Sequence, residues 1–476
     1  MAVGTQEWRE ACVRMHSAGK VGGVADHRTA LGWAAAIRRG ETSCERAAEH
    51  YLQVIADRNA ELGAFVQLWP ERALRTARAM DRRLAAGGGA PLTFQGVPVG
   101  IKDLDPTRGG FTRLGSRAFR YLWTPNDGPV TKCVRAAGFN IMGKTATSEF
   151  AIMPIVETQV HPPCRNAWDP AITSGGSSGG AGTAVAAGML PIAHGSDGAG
   201  SIRIPASLGG LYGFKPSRGL LPNFYGAVDK VGLGTVNCVS WDVADAAAFL
   251  DGLQSRNYAP DEPPADSLLH ASRQSPGKLR IRYSVESGVT AVRPEVAAAV
   301  QEAAERLRAL GHEVTEAPML DATVAEFLPL WERMAANVPL MSESLADPVT
   351  RFLRVRGRKL KVPRALELAA ELTAKVEAWF GDADAWLTPT IGPAAPRVGQ
   401  YAELDGEARF NAVAPLGAFT AAFNVSGQPA ASLPYGRCAQ GLPFGVQLVG
   451  KRMQDAQLLA LSQQYMAAHP WPMQPS

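Results

Sequence analysis

Residues 174–207 read SGGSSGGAGTAVAAGMLPIAHGSDGAGSIRIPAS and place several serines among backbone that carries few side chains. Glycine loses more conformational entropy on folding than any other residue, so a cluster of this density indicates that the chain needs a special backbone geometry here. Three interpretations compete. The stretch could bind a phosphate, pack a helix of small residues against a sheet, or present a serine nucleophile to an acyl group.

The phosphate interpretation fails on spacing. A P-loop ends in Gly-Lys-Ser or Gly-Lys-Thr, and residues 174–207 contain no such tripeptide. Residues 195–200, GSDGAG, also lack the second glycine of the dinucleotide-binding spacing GxGxxG. The helix interpretation fits residues 180–188, where small side chains allow close approach to a sheet. It leaves the serines at both ends of that helix unexplained.

A serine nucleophile needs a base, and two candidates exist. His194 stands seven residues before Ser201, but the Gly-x-Ser-x-Gly pattern does not fit around Ser201, and a lone His that ends an apolar run is more often structural. Lys102 ends an apolar segment, residues 95–103, that is typical of a buried strand. Burial favours the neutral amine, which is the form that accepts a proton, although a lysine at a strand end is more often ion-paired. The residues alone leave the choice of base open.

Three motifs resemble those of the amidase signature family. Gly-Gly-Ser-Ser-Gly-Gly stands at 175–180, Asp-x-x-Gly-Ser-Ile-Arg-x-Pro-Ala at 197–206, and Gly-x-Pro-x-x-x-Lys-Asp at 96–103. Further family segments match in order, among them 143–150, 423–429 and 441–450. The resemblance therefore extends over nearly the whole chain.

The resemblance implies a role for each motif. Ser201 would be the nucleophile that forms an acyl-enzyme, Ser177 a bridge that relays the proton, and Lys102 the base. The family places the bridging serine after a cis peptide bond, here between Gly176 and Ser177. No metal and no organic cofactor is expected.

The resemblance also implies an oxyanion hole made of backbone. Its donors would be the N–H groups of Gly198, Ala199, Gly200 and Ser201, with Ser178 as a supporting substrate contact. Many family members carry glycine where this chain has Ala199. Since alanine resists positive φ, we expect the loop to avoid that conformation at this position.

Alternating strand-like runs and helical patterns, together with the resemblance, predict an α/β fold. We expect a mixed central β-sheet covered by helices on both faces, in one compact unit. An N-terminal helical segment is expected at residues 1–85 and the catalytic domain at 86–476, with a more variable α-rich lobe at about 278–380. Trp331 and Met334 lie in that lobe at helical spacing, which favours a role in the core over a substrate contact.

Composition narrows the class of protein. The six cysteines form no Cys-x-x-Cys pair, which argues against a disulfide framework and a zinc site. The polar N-terminus is unlike a signal peptide, and no run of 18 apolar residues exists, so we expect a cytoplasmic protein without a membrane partner. Residues 351–364 carry seven Lys or Arg without an acidic residue. We interpret this run as a solvated helical face and expect no nucleic-acid partner.

The resemblance predicts hydrolysis of the C–N bond of a carboxamide. The partner would be a small apolar, aryl, linear or cyclic amide, and a homodimer is among the expected states. One alternative is the glutaminase subunit of a tRNA-dependent amidotransferase, which shares the fold. A second alternative is an inactive binding protein on the same fold, against which the intact Lys102, Ser177 and Ser201 argue.

Overall fold

The structure, a computed structural model, describes residues 29–87 and 92–471. Eleven strands of these residues form one sheet, and two short strands, β3 and β4 below, pair separately. The strands are β1 (Phe65–Leu68), β2 (Pro98–Lys102), β3 (Gly110–Phe111), β4 (Trp123–Thr124), β5 (Asn140–Thr145), β6 (Ile192–Asp197), β7 (Tyr212–Lys215), β8 (Thr235–Ser240), β9 (Arg280–Tyr283), β10 (Glu313–Glu316), β11 (Ala385–Pro389), β12 (Ala430–Arg437) and β13 (Pro443–Gly450).

Fifteen α-helices within the described residues surround the sheet. They are α1 (Ala30–Arg38), α2 (Cys44–Leu62), α3 (Pro70–Ala85), α4 (Pro129–Ala136), α5 (Gly179–Ala186), α6 (Arg203–Gly209), α7 (Val243–Leu253), α8 (Leu268–Ser272), α9 (Pro294–Ala309), α10 (Val324–Ala336), α11 (Pro348–Gly357), α12 (Val362–Phe380), α13 (Gly406–Val413), α14 (Ala422–Ser426) and α15 (Asp455–Ala468).

The sheet is mixed, as predicted. Its strand order is β1-β5-β2-β6-β8-β7-β12-β13-β11-β9-β10. Neighbours β5, β2 and β6 run parallel, as do β11, β9 and β10 near the other end. The strands from β6 through β11 in this order pair antiparallel. Because β2 and β6 are parallel neighbours, their carboxyl ends, which carry Lys102 and the loop to Ser201, lie at the same edge.

Both faces of the sheet are covered. Successive residues of a strand point to opposite faces. In β11, Ala385 and Leu387 join one large apolar cluster, whereas Trp386 between them joins a second. Helices α2 and α9 contribute to the first cluster and α10 to α12 to the second. This confirms the predicted sheet with helices on both sides.

The predicted segments contribute to the sheet as well as to the helical layers. Within the predicted N-terminal segment, β1 forms an edge strand against β5. Within the predicted lobe, β9 and β10 extend the other end of the sheet, while α10, α11 and α12 form the second apolar cluster. The boundaries of the N-terminal segment, catalytic domain and lobe stay predictions.

The predicted helix of small residues is α5. All eight of its residues are buried. A Cβ atom on Gly180 would lie 2.2 Å from the backbone N of Ala146 and 2.6 Å from the O of Ala64. The helix therefore approaches the neighbouring backbone more closely than any side chain would allow.

Arginines of the basic run at 351–364 form ion pairs with acidic residues outside the run. Arg358 pairs with Glu343, and Arg356 pairs with Glu332. Arg354 is buried, with 2% of its surface exposed, and its guanidinium donates to the Glu343 carboxylate. The predicted solvated face is therefore wrong for Arg354, because a long-range ion pair allows the side chain to be buried.

No helix among the described residues is both long enough and apolar enough to cross a membrane.

Candidate active site

Lys102 ends strand β2 inside the molecule. Its side chain is fully buried. The ammonium nitrogen Nζ lies 2.7 Å from Ser177 Oγ, 2.9 Å from Ser178 Oγ and 2.9 Å from Ser196 Oγ. Three hydroxyl oxygens therefore surround the amine, two from the loop that precedes α5 and one from β6.

This environment favours the neutral amine. Burial lowers the pKa of Lys102 from 10.5 to about 7, because the charged form loses its hydration, while the nearby charges of Asp105 and Asp197 oppose the shift. A lysine with this pKa holds a substantial neutral fraction at neutral pH. It can therefore accept a proton from a neighbouring hydroxyl.

Ser177 and Ser178 belong to a buried loop. Glycines in this loop allow its backbone to pack closely against the neighbouring backbone. The peptide bond between Gly176 and Ser177 is cis, as predicted. A Cβ on Gly176 would lie 2.8 Å from the backbone N of Ile155. The backbone N–H of Ser178 donates to Ser201 O at 3.2 Å, which joins this loop to the one that carries Ser201.

The structure corrects the prediction for Ser178. Its hydroxyl donates to the backbone O of Ser196 at 3.1 Å and accepts from the Ser196 N–H at 3.2 Å and from Lys102 Nζ. The side chain is fully buried and lines neither cavity described below. Because its hydrogen-bonding capacity is used inside the protein, Ser178 supports Lys102 and β6 and is not available to a substrate.

Ser201 lies between β6 and α6, on a loop held by a buried ion pair. The Arg203 guanidinium donates to both oxygens of Asp197, at 3.0 Å and 2.9 Å. Burial alone would raise the pKa of Asp197, but the charge and hydrogen bonds of Arg203, the charge of Lys215 and the Ile202 N–H together outweigh it and hold that pKa well below its usual value. Gly200 adopts a φ of 123°, where alanine would be strained. Ala199 avoids positive φ, as predicted.

The structure also corrects the predicted oxyanion donors. The N–H of Gly200 donates to Asp197 Oδ1 at 2.6 Å, so it is already engaged. The N–H groups of Gly198, Ala199 and Ser201 meet no acceptor among the described residues. Three of the four predicted donors are therefore unengaged, and their role in binding an oxyanion stays a prediction.

Two residues from the C-terminal part of the chain complete this loop. Asn424 accepts from Arg203 at 2.6 Å and donates to the backbone O of Asp197 at 2.8 Å. Gln447 accepts from the other terminal nitrogen of Arg203 at 2.8 Å. Sequence reasoning matched their segments to the family without assigning them a role, since a contact over more than 220 residues leaves no local pattern.

Sequence reasoning missed Ser196 as well. It stands two residues after His194 on β6, and residues spaced by two share a face of a strand. The His194 ring accepts from the backbone N–H of Lys102 at 3.2 Å, and burial lowers its pKa well below the usual range. Neutral His194 therefore accepts a hydrogen bond from the backbone of Lys102, and Ser196 lies within hydrogen-bond distance of the Lys102 side-chain nitrogen. The spacing of two residues between His194 and Ser196 was the sequence signal that could have identified Ser196.

Two cavities adjoin the serines. The first, which we name the apolar cavity, has a volume of about 90 Å³. Ser201 lies on its wall, and no charged residue among the described ones lines it. The remaining wall is mostly hydrophobic and includes Ile204, Phe327, Leu372 and Phe410.

The second, which we name the Asp229 cavity, has a volume of about 80 Å³ and is lined by Ser177, Ser196, Gly198, Asp229 and Met334 among others.

Trp331 separates the two cavities. The indole lines both, together with Ile152, and its N–H donates to the backbone O of Ile152 at 3.2 Å. A Cβ on Gly198 would lie 3.2 Å from the indole ring. Trp331 belongs to the second apolar cluster and Met334 packs against it, so the predicted role in the core is confirmed. Both residues also line a cavity beside the serines, which the prediction did not favour.

Comparison with known proteins places the chain in a family. The sequence profile of the Amidase family matches residues 46–459. The Mycobacterium tuberculosis protein named as amidase AmiB2 is 35% identical over 439 residues, which cover 89% of this chain and 92% of that protein. A Synechocystis protein named as an amidase is 32% identical, and the match covers 92% of this chain and 87% of that protein.

Solved structures agree with the profile. A 6-aminohexanoate cyclic dimer hydrolase has 28% identity and a TM-score of 0.83, covering 94% of this chain and 98% of that one. A bacterial aryl acylamidase has 24% identity and a TM-score of 0.81, covering 93% of this chain and 96% of that one, and it shows the shared fold alone. With a profile match over most of its length, this chain belongs to the amidase signature family of amide hydrolases.

Proposed function

We propose that this chain hydrolyses carboxamides through an acyl-enzyme on Ser201, with Ser177 and Lys102 moving the protons. The observation that carries the proposal is the distance of 2.7 Å between Lys102 Nζ and Ser177 Oγ in a fully buried position. At this distance a proton can pass between nitrogen and oxygen in either direction.

The first half of the reaction forms the acyl-enzyme. Neutral Lys102 takes the proton of Ser177 while Ser177 takes that of Ser201, whose Oγ attacks the amide carbonyl carbon. The N–H groups of Gly198, Ala199 and Ser201 stabilise the oxyanion, and one such donor is worth about 3 kcal/mol of the barrier. The proton then returns through Ser177 to the departing nitrogen, and the C–N bond breaks.

The second half releases the acid. Water attacks the acyl carbon, and its proton passes through Ser177 to Lys102. The collapse of the second tetrahedral intermediate returns a proton to the Ser201 oxygen. Every proton-transfer group in this scheme is a side chain of the chain itself.

The shape and polarity of the cavities support the substrate class. An apolar wall beside Ser201 favours an aliphatic or aryl acyl group, because burying that surface removes it from water. The name of one structural neighbour, the 6-aminohexanoate cyclic dimer hydrolase, agrees with small cyclic amides. We therefore propose small apolar, aryl, linear or cyclic amides as substrates.

The wall of the apolar cavity argues against the glutaminase alternative. Glutamine carries a carboxylate and an ammonium group, and buried charges need partners. No charged residue among the described ones lines the apolar cavity. The inactive-protein alternative conflicts with the buried contact between Lys102 and Ser177. The cytoplasmic location and the homodimeric state of the protein stay proposals that rest on the sequence.

A turnover screen tests the proposed function. The isolated full chain is offered acyl-anilides, linear and cyclic amides, esters and glutamine, in parallel with Lys102→Ala, Ser177→Ala and Ser201→Ala. We expect hydrolysis of apolar amides without added protein and a loss of at least about 1,000-fold in each variant. Ser462→Ala, a buried serine in α15, is the control for removing a hydroxyl. Wild-type acyl transfer by Ser201→Ala would refute the mechanism, and activity confined to glutamine would favour the alternative.

A further inference from the structure

The Asp229 cavity lies on the side of the site from which the proton is delivered. Ser177 lines this cavity, whereas Ser201 lines the apolar cavity. The three unengaged amides are divided between the cavities as well, with Gly198 on the wall of the Asp229 cavity and Ala199 and Ser201 on that of the apolar cavity. A bound carbonyl group would therefore lie at the boundary formed by Trp331.

The proposed chemistry determines which part of the substrate lies on each side of Trp331. The acyl carbon must bond to Ser201 Oγ, so the acyl group extends into the apolar cavity. The departing nitrogen must receive its proton from Ser177 Oγ, so the amine extends toward the wall on which Ser177 lies. A donor has to stand within hydrogen-bond reach of the group that it protonates. The amine would therefore occupy the Asp229 cavity, which Ser177 lines.

The charge of this wall differs from that of the apolar cavity. Asp197 and Asp229 are the acidic residues on its wall, and no Lys or Arg among the described residues lines it. Asp197 is neutralised by Arg203. Asp229 is buried, with 3% of its surface exposed, and accepts only from the backbone N–H groups of Gly232 at 2.8 Å and Gly234 at 2.6 Å among the described residues.

A carboxylate in this position attracts cations. Each oxygen of Asp229 accepts one backbone hydrogen bond and keeps capacity for another. Its charge acts in a cavity whose wall is mostly apolar, where electrostatic interactions are stronger than in bulk water. The same field repels an anionic group. The wall therefore distinguishes leaving amines by their charge.

We propose that the Asp229 cavity binds the leaving amine and selects amines that carry a second, cationic amino group over amines that carry a carboxylate. The inference rests on the proposed function. The bond chemistry is unchanged: the C–N bond breaks, Ser201 gains the acyl group, and the proton of Ser201 reaches the leaving nitrogen through Ser177.

Three amides with the same hexanoyl group test the proposal. Their amines are butylamine, 1,4-diaminobutane acylated at one end, and 4-aminobutanoate. We expect the wild-type kcat/KM to be at least about tenfold higher for the diaminobutane amide than for the aminobutanoate amide, with the butylamide between them. Because all three form the same acyl-enzyme, the differences report acylation.

Variants at Asp229 separate charge from structure. Asp229→Asn removes the charge, and we expect the ratio of the two kcat/KM values to fall toward one. Asp229→Glu keeps the charge, and we expect the preference to persist. The ratio does not depend on the fraction of folded enzyme, so partial misfolding of either variant leaves the test valid. Asp261→Asn, at an exposed carboxylate paired with Arg38, is the matched control that should keep the wild-type ratio.

The outcomes distinguish this inference from the proposed function. Hydrolysis of all three amides through Ser201 at equal kcat/KM, or an unchanged ratio in Asp229→Asn, would overturn the charge selection and leave the amide hydrolase mechanism standing. Failure of Ser201-dependent hydrolysis for every amide, including those of the broader screen, would overturn both.

Discussion

Lys102 depends on its immediate neighbours for its chemistry. The side-chain nitrogen lies within hydrogen-bond distance of three hydroxyl oxygens and, among the described residues, makes no hydrogen bond to a carboxylate. Hydroxyls satisfy the amine without the charge that would fix it in the protonated form. Burial can therefore lower its pKa to about 7, and the group can act as a base near neutral pH.

The first prediction concerns the pH dependence of the wild-type enzyme. Protonated Lys102 cannot accept a proton, so kcat/KM for an apolar amide should fall about tenfold per pH unit below the pKa near 7 and level off above it. Steady-state kinetics between pH 5.5 and 9 in buffers of constant ionic strength would measure this profile. A flat profile over that range would exclude Lys102 as the titrating base.

The second prediction concerns Ser196. Ser196→Ala removes one hydrogen-bond acceptor from the Lys102 side chain. The loss destabilises the charged ammonium more than the neutral amine, so the pKa of Lys102 should fall further. We expect kcat/KM to fall by about tenfold and the acidic limb of the pH profile to move to lower pH. A purely structural effect would lower the rate without moving the limb. Ser462→Ala should leave both the rate and the limb unchanged.

At the scale of elements, α5 determines how close the serine loop comes to the sheet. Helices packed through ordinary side chains keep their backbones apart, whereas this helix has glycine where Ala64 and Ala146 approach it. The sequence already predicted a small-residue helix at this place. It could not predict which glycine makes the contact, because that depends on the backbone of the residue after β5 and of the residue before β1.

The third prediction tests this contact. Gly180→Ala places a Cβ 2.2 Å from the backbone N of Ala146, and backbone cannot move aside as a side chain can. We expect a loss of at least about 3 kcal/mol in the free energy of unfolding, measured by urea denaturation. Gly288→Ala is the control, since its Cβ would meet no atom within 4 Å. Equal stability of the two variants would contradict the close contact.

At the scale of the whole molecule, Lys102 is not the only buried lysine. Lys215 at the end of β7 is fully buried and donates to the backbone O of Pro216 at 2.9 Å. Burial lowers its pKa from 10.5 to about 7. Between these two values the unfolded chain binds more protons at this residue than the folded chain does, so Lys215 makes stability rise with pH.

The fourth prediction follows from that sign. Lys215→Met removes the titrating group, so its free energy of unfolding relative to wild type should change with pH. The free energy of unfolding of the variant minus that of the wild type should decrease by up to about 1.4 kcal/mol per pH unit between pH 7.5 and 9.5. Urea denaturation at several pH values measures the difference, which cancels the contributions of other groups. A difference that stays constant with pH would show that Lys215 titrates normally.

Alternating strand-like and helical patterns predicted the α/β class, because they are encoded in local periodicity. The resemblance to the amidase signature family added the mixed sheet and the pairing of Lys102 with Ser177, which the residues alone left open. The remaining site residues depend on distant parts of the chain. Asn424 reaches Asp197 and Arg203 across more than 220 residues, and Trp331 reaches Gly198 from the lobe. The burial of Arg354 likewise depends on an acid outside the basic run.

The long-range support of the Ser201 loop has a consequence for biosynthesis. Gln447 follows Arg203 by 244 residues, and Asn424 follows it by 221. A ribosome adds residues in order, so a growing chain carries Lys102, Ser177 and Ser201 long before it carries the two side chains that hold Arg203. Since these two side chains support the Ser201 loop, we expect amide hydrolysis only from a chain that has been translated at least as far as Gln447.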